Sequence, residues 1–85
     1  MTAIHLKTFP TPIGQILAIL AANGQTKVSD LFRQSEFSAG KLYPHVRALE
    51  RDRVIVRHGE GRYGLAETVE CEAYLESYDI GSIID

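Results

Sequence analysis

The chain has 85 residues, a hydrophobic fraction of 45% and a formal net charge of −2 at pH 7. This length allows one small domain with a limited core, and the hydrophobic fraction argues against intrinsic disorder. The single cysteine excludes an internal disulfide, and the longest apolar run, residues 16–22, is too short to cross a bilayer. Because no signal-peptide pattern is seen at the N-terminus, we expect a cytoplasmic protein without a membrane partner.

The small net charge conceals a strong asymmetry along the chain. Residues 1–40 carry three cationic and two acidic side chains, and residues 41–62 carry six cationic and three acidic ones. Residues 63–85 carry six acidic side chains and no cationic one. This division predicts a nucleic-acid face in the basic middle or an interaction segment at the acidic end.

The N-terminal part predicts an arm followed by a buried helix. Residues 1–10 lack helical periodicity and are interpreted as a short strand or an extended arm. Thr11 is a suitable N-cap, and Pro12 suits the first helical position. Apolar residues then recur at helical spacing until Asn23 and Gly24, which favour a helix end.

A short β-like piece at 26–28 precedes a second helix and a turn. We expect Ser29 to cap this helix, which ends near Ser35. Phe37 is predicted to fill the corner before the next helix, and Ser38 is predicted to cap that helix.

The third helix, residues 38–52, has two contrasting sides. Leu42, Val46 and Leu49 form one apolar stripe, which must face the core. Pro44 is expected to distort the first turn without ending the helix. The opposite side is small and basic, and it consists of Gly40, Lys41, Pro44, Arg47, Ala48 and Arg51. Such a surface allows close approach to a phosphate backbone.

A β-hairpin and an acidic helix complete the chain. The predicted strands are 53–57 and 62–65, with a turn at 58–61, and Gly64 is expected to mark a bulge or a close backbone contact. The last helix is predicted over 67–78, with Val69, Cys71, Leu75 and Tyr78 roughly on one side. The apolar end of the chain is expected to pack on the domain or on a second copy. The candidate dimer contacts are Leu75, Tyr78, Ile80, Ile83 and Ile84.

This order of elements predicts a mainly α fold with a small β-hairpin, in the α+β class. It is typical of a winged helix-turn-helix, with a three-helix core, a wing and a C-terminal helix. The domain is expected over 1–66, including the N-terminal arm. Residues 67–85 form an acidic helix and apolar tail for dimerisation or partner contact.

Two motifs carry a resemblance to a known family. The stretch Ser38-Ala-Gly-Lys-Leu-Tyr-Pro44, followed by Val46-Arg-Ala-Leu-Glu50, resembles the recognition-helix motif of the PadR family of transcriptional regulators. Gly61-Arg62-Tyr63 resembles the wing of that family. The chain departs from the family at Lys41, where a small hydroxyl residue is usual, and at Asp52-Arg53, which replaces the usual helix-ending glycine. The C-terminal helix is also shorter than in most members.

The resemblance implies a sequence-specific regulator, a repressor, that binds double-stranded DNA as a homodimer. Helix 38–52 would enter the major groove, and the wing, 57–62, would lie on the adjacent backbone. The DNA-binding candidates that follow are Ser38, Gly40, Lys41, Tyr43, Pro44, Arg47, Arg51, Arg57, His58 and Arg62.

Plainer interpretations stand beside these assignments. The cationic helix face is alternatively an ordinary solvated face, and Tyr43 alternatively covers the edge of the core. His45 and His58 are expected to be exposed residues rather than pH sensors, and Cys71 a core or dimer-contact residue rather than a redox switch.

No motif in the sequence predicts catalysis. Metal-ligand spacing, a phosphate-binding glycine loop and a nucleophilic triad are all missing, so we expect no enzyme, no metal and no cofactor. The alternative function is a winged-helix protein–protein interaction module, an adaptor or inhibitor whose acidic C-terminal segment docks a protein partner.

Overall fold

The computed structural model describes residues 6–80, which form four α-helices and one small antiparallel sheet. The helices are α1 (Pro12–Asn23), α2 (Val28–Gln34), α3 (Ala39–Arg51) and α4 (Val69–Ser77). The strands are β1 (Thr26–Lys27), β2 (Ile55–Arg57) and β3 (Arg62–Leu65). The predicted α+β class, mainly helical with a small β component, is confirmed.

Helix α1 is the central element, and its ends lie where the sequence predicts. The Thr11 hydroxyl accepts a hydrogen bond from the Gly14 N–H at 3.0 Å, and Pro12 occupies the first turn. Gly24 ends the helix with a φ of 72°, which glycine adopts without steric cost. Seven consecutive residues, Gly14–Leu20, are buried, so the helix is enclosed over its whole circumference.

The segments on either side of α1 differ from the predictions. Leu6–Thr8 form a 3₁₀ turn rather than a strand, and Phe9 is buried in the core. Helix α2 begins at Val28, and Ser29 does not cap it, because Lys27 occupies the capping position without a side-chain hydrogen bond. Val28 packs against the core, and the helix begins two residues earlier than a cap at Ser29 would place it.

One buried amide ties the N-terminal turn to the turn before α3. Gln15 on α1 is 1% exposed, and its Oε1 accepts hydrogen bonds from the Ser35 hydroxyl at 2.7 Å and the Glu36 N–H at 3.0 Å. Its Nε2 donates to the Leu6 carbonyl at 3.4 Å and to Glu36 Oε1 at 3.1 Å. Both ends of this side chain are therefore satisfied, as a buried polar group requires.

The sheet has the order β1-β3-β2, and β1 pairs with the return strand of the predicted hairpin. Strand β2 begins at Ile55 rather than at the predicted residue 53, because Arg53 has a φ of 68° and cannot continue a strand. A Cβ added at Gly64 would lie 3.2 Å from Nε2 of His58, so the close neighbour of this glycine is a side chain and not the predicted backbone.

Helices α3 and α4 end in the same backbone motif. After α3, the Arg53 N–H donates to the Glu50 carbonyl and the Val54 N–H donates to the Leu49 carbonyl. After α4, Asp79 and Ile80 make the corresponding bonds, and Asp79 has a φ of 57°. These are Schellman motifs with a residue other than glycine in the left-handed position.

The hydrophobic core confirms the predicted stripe on α3 and corrects part of α4. Leu42, Val46 and Leu49 are each at most 1% exposed. Val69 was expected on the apolar side of the last helix, but it is 79% exposed, and Cys71 is the residue of α4 that is buried. Burial raises the pKa of the Cys71 thiol.

The predicted dimer contacts have different positions in the single chain. Ile80 is 0% exposed, because the turn after α4 directs it into the core of its own chain. Ile80 therefore packs on its own domain, which is one of the two alternatives predicted for the apolar end of the chain. Leu75 and Tyr78 are half-buried against the core, whereas Ile83 and Ile84 lie outside the described residues. Within residues 6–80, no helix combines the length and the apolar character needed to cross a bilayer.

Candidate nucleic-acid interface

The exposed side of α3 carries small residues in its first turns, beside longer cationic side chains. The Ser38 hydroxyl caps the helix by accepting a hydrogen bond from the Lys41 N–H at 3.3 Å. A Cβ added at Gly40 would meet no atom within 4 Å. Pro44 lies inside the helix, which continues through it to Arg51, as predicted. The backbone at Gly40 is therefore open to an approaching ligand.

The same side of α3 borders a shallow depression shared with strand β2. We call this depression the α3–β2 groove, and its lining residues are Tyr43, Pro44, Arg47, Ala48, Glu50, Arg51 and Arg57. Five of the ten predicted DNA-binding residues are among them. The fold thus brings three arginines from two elements onto one surface.

An arginine–tyrosine pair forms the helical edge of the α3–β2 groove. The guanidinium carbon of Arg47 lies 5.8 Å from the centroid of the Tyr43 ring, one helical turn away. This distance is within the range of a cation–π contact. Tyr43 is 45% exposed, so it is a surface residue rather than a core residue.

A second arginine–tyrosine pair forms the other edge, and it is held more firmly. Arg57 Nε and Nη2 both donate to the Tyr63 hydroxyl oxygen, at 3.1 and 2.8 Å. The Tyr63 hydroxyl donates in turn to Glu50 Oε1 at 3.4 Å, and Arg57 Nη2 lies 3.5 Å from the same oxygen. These bonds to Tyr63, together with the negative charge of Glu50, raise the pKa of Arg57.

Tyr63 is the residue of this site that the sequence reasoning missed. It is 3% exposed, and its Cα pairs with that of Arg57 across the hairpin. Arg57 and Tyr63 lie equally far from Glu60 at the centre of the turn, so the register was the signal that could have placed them together. Because side chains point alternately to the two faces of a strand, the register would then have placed Tyr63 on the face that packs against the core.

Two predicted wing residues lie away from the α3–β2 groove. His58 is half-buried and lines a different depression, with Gly64 and Leu65. Arg62 lines a third depression, beside Lys27, and its guanidinium lies 3.1 Å from Glu60. Neither side chain contributes to the surface that contains Arg47 and Arg57.

The charges on the groove are unevenly compensated. Arg51 lies 3.3 Å from Asp52, and Arg57 lies 3.5 Å from Glu50. Such exposed pairs hold their partners weakly, because water screens the attraction. Among residues 6–80, no carboxylate lies within 4.0 Å of Arg47 in the groove, or of Lys41, which is on α3 but outside the groove lining. The surface therefore carries an excess of positive charge and is suited to an anionic ligand.

The described residues, 6–80, contain no group of three or more His, Cys, Asp or Glu side chains placed to hold a metal ion. A comparison of the chain with protein-family models, with curated proteins and with solved structures finds no match.

Proposed function

We propose that this chain is a winged helix-turn-helix regulator that binds double-stranded DNA sequence-specifically as a homodimer and represses transcription. The observation that carries the proposal is the α3–β2 groove, where five residues predicted to contact DNA lie together. The resemblance of residues 38–50 and 61–63 to PadR regulators supports the same function.

The dimensions of α3 suit the major groove. Its 13 residues span about 20 Å, and a major groove about 12 Å wide admits one helix. The core stripe of α3 is buried against α1, so the helix can present only its small cationic side. Gly40 and Pro44 on that side allow close approach to the base edges.

The cations divide into two roles by their partners in the free chain. Lys41 and Arg47 lie away from any carboxylate of the described residues, so their donors are available to a guanine O6 and N7. Arg51 and Arg57 already lie beside carboxylates, and a phosphate would take over as the partner of each. In this scheme the second pair positions the protein and the first pair reads sequence.

A protein-interaction module is the second candidate, and the composition of α4 favours it. Glu70, Glu72 and Glu76 are exposed on this helix, which has no cationic residue. An acidic helix of this kind suits a basic protein partner. This function does not require the α3–β2 groove to bind anything.

A binding experiment separates the two candidates. The protein is titrated against a pool of random duplex DNA, bound sequences are selected, and affinity for them is measured against salt. Under the proposal, log affinity falls linearly with log salt, by close to one unit for each phosphate neutralised. In a dimer, the two half-sites should lie about 34–36 Å apart.

Lys41→Ala and Arg47→Ala are the informative variants. Each should weaken specific binding by about 1–3 kcal/mol and relax the preference at one base pair. Lys7→Ala removes the same charge from the N-terminal turn, outside the α3–β2 groove, and should leave the sequence preference unchanged. A folded protein that binds no duplex at low salt would refute the DNA function and favour the interaction module.

A further inference from the structure

We propose that Tyr63 is a positioning residue for DNA binding, because its hydroxyl holds the guanidinium of Arg57 at the rim of the α3–β2 groove, where Arg57 contacts a phosphate. The inference rests on the proposed function and names a further residue of the same site. Tyr63 itself is too buried to touch DNA, so it acts only through Arg57.

The geometry separates an anchored part of Arg57 from a free part. Two of its five N–H donors are bound to the Tyr63 oxygen, at 3.1 and 2.8 Å. The side chain is nevertheless 56% exposed, which leaves the remaining donors accessible to solvent. A fixed cation with free donors at the edge of a groove is preorganised for a phosphate oxygen.

The Tyr63 ring gives the anchor its rigidity. The ring belongs to the hydrophobic core, and the Arg57 guanidinium carbon lies 5.4 Å from its centroid. A long arginine side chain on an exposed strand otherwise samples many rotamers, which it must give up on binding. The buried ring and the two hydrogen bonds restrict Arg57 before DNA arrives.

Glu50 determines what happens when the hydroxyl is removed. Its Oε1 lies 3.5 Å from Arg57 Nη2, and it is the nearest alternative partner for that guanidinium. Without the Tyr63 oxygen, Arg57 would settle on this carboxylate and lose charge available to a phosphate. The Tyr63 hydroxyl therefore competes with the Glu50 carboxylate for the Arg57 guanidinium and keeps it at the rim of the groove.

The contribution of the hydroxyl is separable from that of the ring. Tyr63→Phe keeps the buried ring, and water can replace the lost bonds of the exposed guanidinium. The fold should persist, which circular dichroism and the thermal midpoint check. Tyr74→Phe is the matched control, since it removes the same oxygen from a tyrosine on α4, a helix that contributes no residue to the α3–β2 groove, whereas the Tyr63 hydroxyl binds Arg57 at its rim.

A double-mutant cycle between Tyr63→Phe and Arg57→Ala tests the inference. Affinity for a duplex selected from the random pool is measured by fluorescence anisotropy over a series of salt concentrations. Tyr63→Phe should weaken binding about three- to tenfold, the range for losing one ordered contact, and should lower the salt slope by about one. The double variant should bind no more weakly than Arg57→Ala alone.

Two results would overturn the inference while the proposed function stands. One is a Tyr63→Phe variant that binds with wild-type affinity and salt slope. The other is a double variant weaker than Arg57→Ala by the whole factor measured for Tyr63→Phe, since additivity means that the hydroxyl acts independently of Arg57. If the folded wild-type chain binds no DNA, the inference and the proposed function both fail.

Discussion

Helices α3 and α4 have the same ends and opposite charge. Each begins after a hydroxyl residue, Ser38 or Thr68, whose oxygen accepts a hydrogen bond from the N–H three residues on. Each finishes in a Schellman motif with a non-glycine residue in the left-handed conformation. The exposed side of α3 is cationic, whereas α4 exposes glutamates.

The comparison shows that the residues that fix the ends of a helix are different from the exposed residues that determine what it binds. Capping chemistry fixes the ends of both helices locally, whichever side chains lie between them. Burial differs, because α3 places three side chains in the core and α4 places only Cys71 there. We therefore expect the stability of α4 to depend more on its caps than that of α3 does. We also expect the charge of α4 to have little effect on binding at the α3–β2 groove.

The largest expected effect is on the cap of α4. The Thr68 hydroxyl accepts from the Cys71 N–H at 3.0 Å and donates to the Arg53 carbonyl at 2.7 Å. Thr68→Ala should lower the free energy of unfolding by about 2 kcal/mol, since it removes a cap and a second hydrogen bond. Ser38→Ala removes only a cap and should cost about 1 kcal/mol.

Urea denaturation of these two variants tests the difference between the caps. Thr68→Ser keeps the oxygen and serves as the control for the lost methyl group. Equal losses for Thr68→Ala and Ser38→Ala would show that the bond to the Arg53 carbonyl adds no stability.

A smaller effect is expected at the shared helix ends. Arg53→Gly relieves a left-handed residue that carries a Cβ, and it should raise the free energy of unfolding by about 0.5–1 kcal/mol. Asp79→Gly should gain less, because aspartate tolerates this conformation better than arginine. Thermal midpoints measure both changes, with Ser77→Gly in the last turn of α4 as the destabilising control. A lower midpoint for Arg53→Gly would contradict the strain argument.

The smallest effect is expected from the charge of α4 on DNA affinity. No α4 residue lines the α3–β2 groove, so neutralising Glu70 and Glu72 to glutamine should change affinity by less than about threefold at physiological salt, where exposed charges are screened over about 8 Å. Binding measured by anisotropy checks this. A large gain in affinity would instead show that the acidic segment competes with DNA for the cationic face.

Local signals in the sequence predicted much of the fold. Thr11, Pro12 and Gly24 define α1, and the stripe of Leu42, Val46 and Leu49 orients α3, because caps and helical periodicity depend only on near neighbours. The β-like piece at 26–28 was predicted, but its pairing with β3 was missed, since the partners of Thr26 and Lys27 lie 37 and 35 residues further along the chain. Val69 was misplaced because a nine-residue helix with scattered apolar residues leaves its phase undetermined.

The candidate site divides in the same way. The cationic side of α3 follows from the spacing of its residues, and the structure places Tyr43, Arg47 and Arg51 along the groove accordingly. Tyr63 was not predicted, because its role depends on the hairpin register and on the approach of Glu50 from another element. The periodicity of one segment does not show which residues of other elements its side chains will contact.

The orientation of α3 depends on three segments that the Gln15 amide joins. Its four hydrogen bonds join the 3₁₀ turn at Leu6, helix α1 and the Ser35–Glu36 turn that leads into α3. In a dry interior no water is at hand to replace a lost partner, so a displacement of the N-terminal turn changes the environment of the turn before α3. The 3₁₀ turn at Leu6 thereby helps to set the angle at which α3 would meet a duplex, although it lies outside the α3–β2 groove.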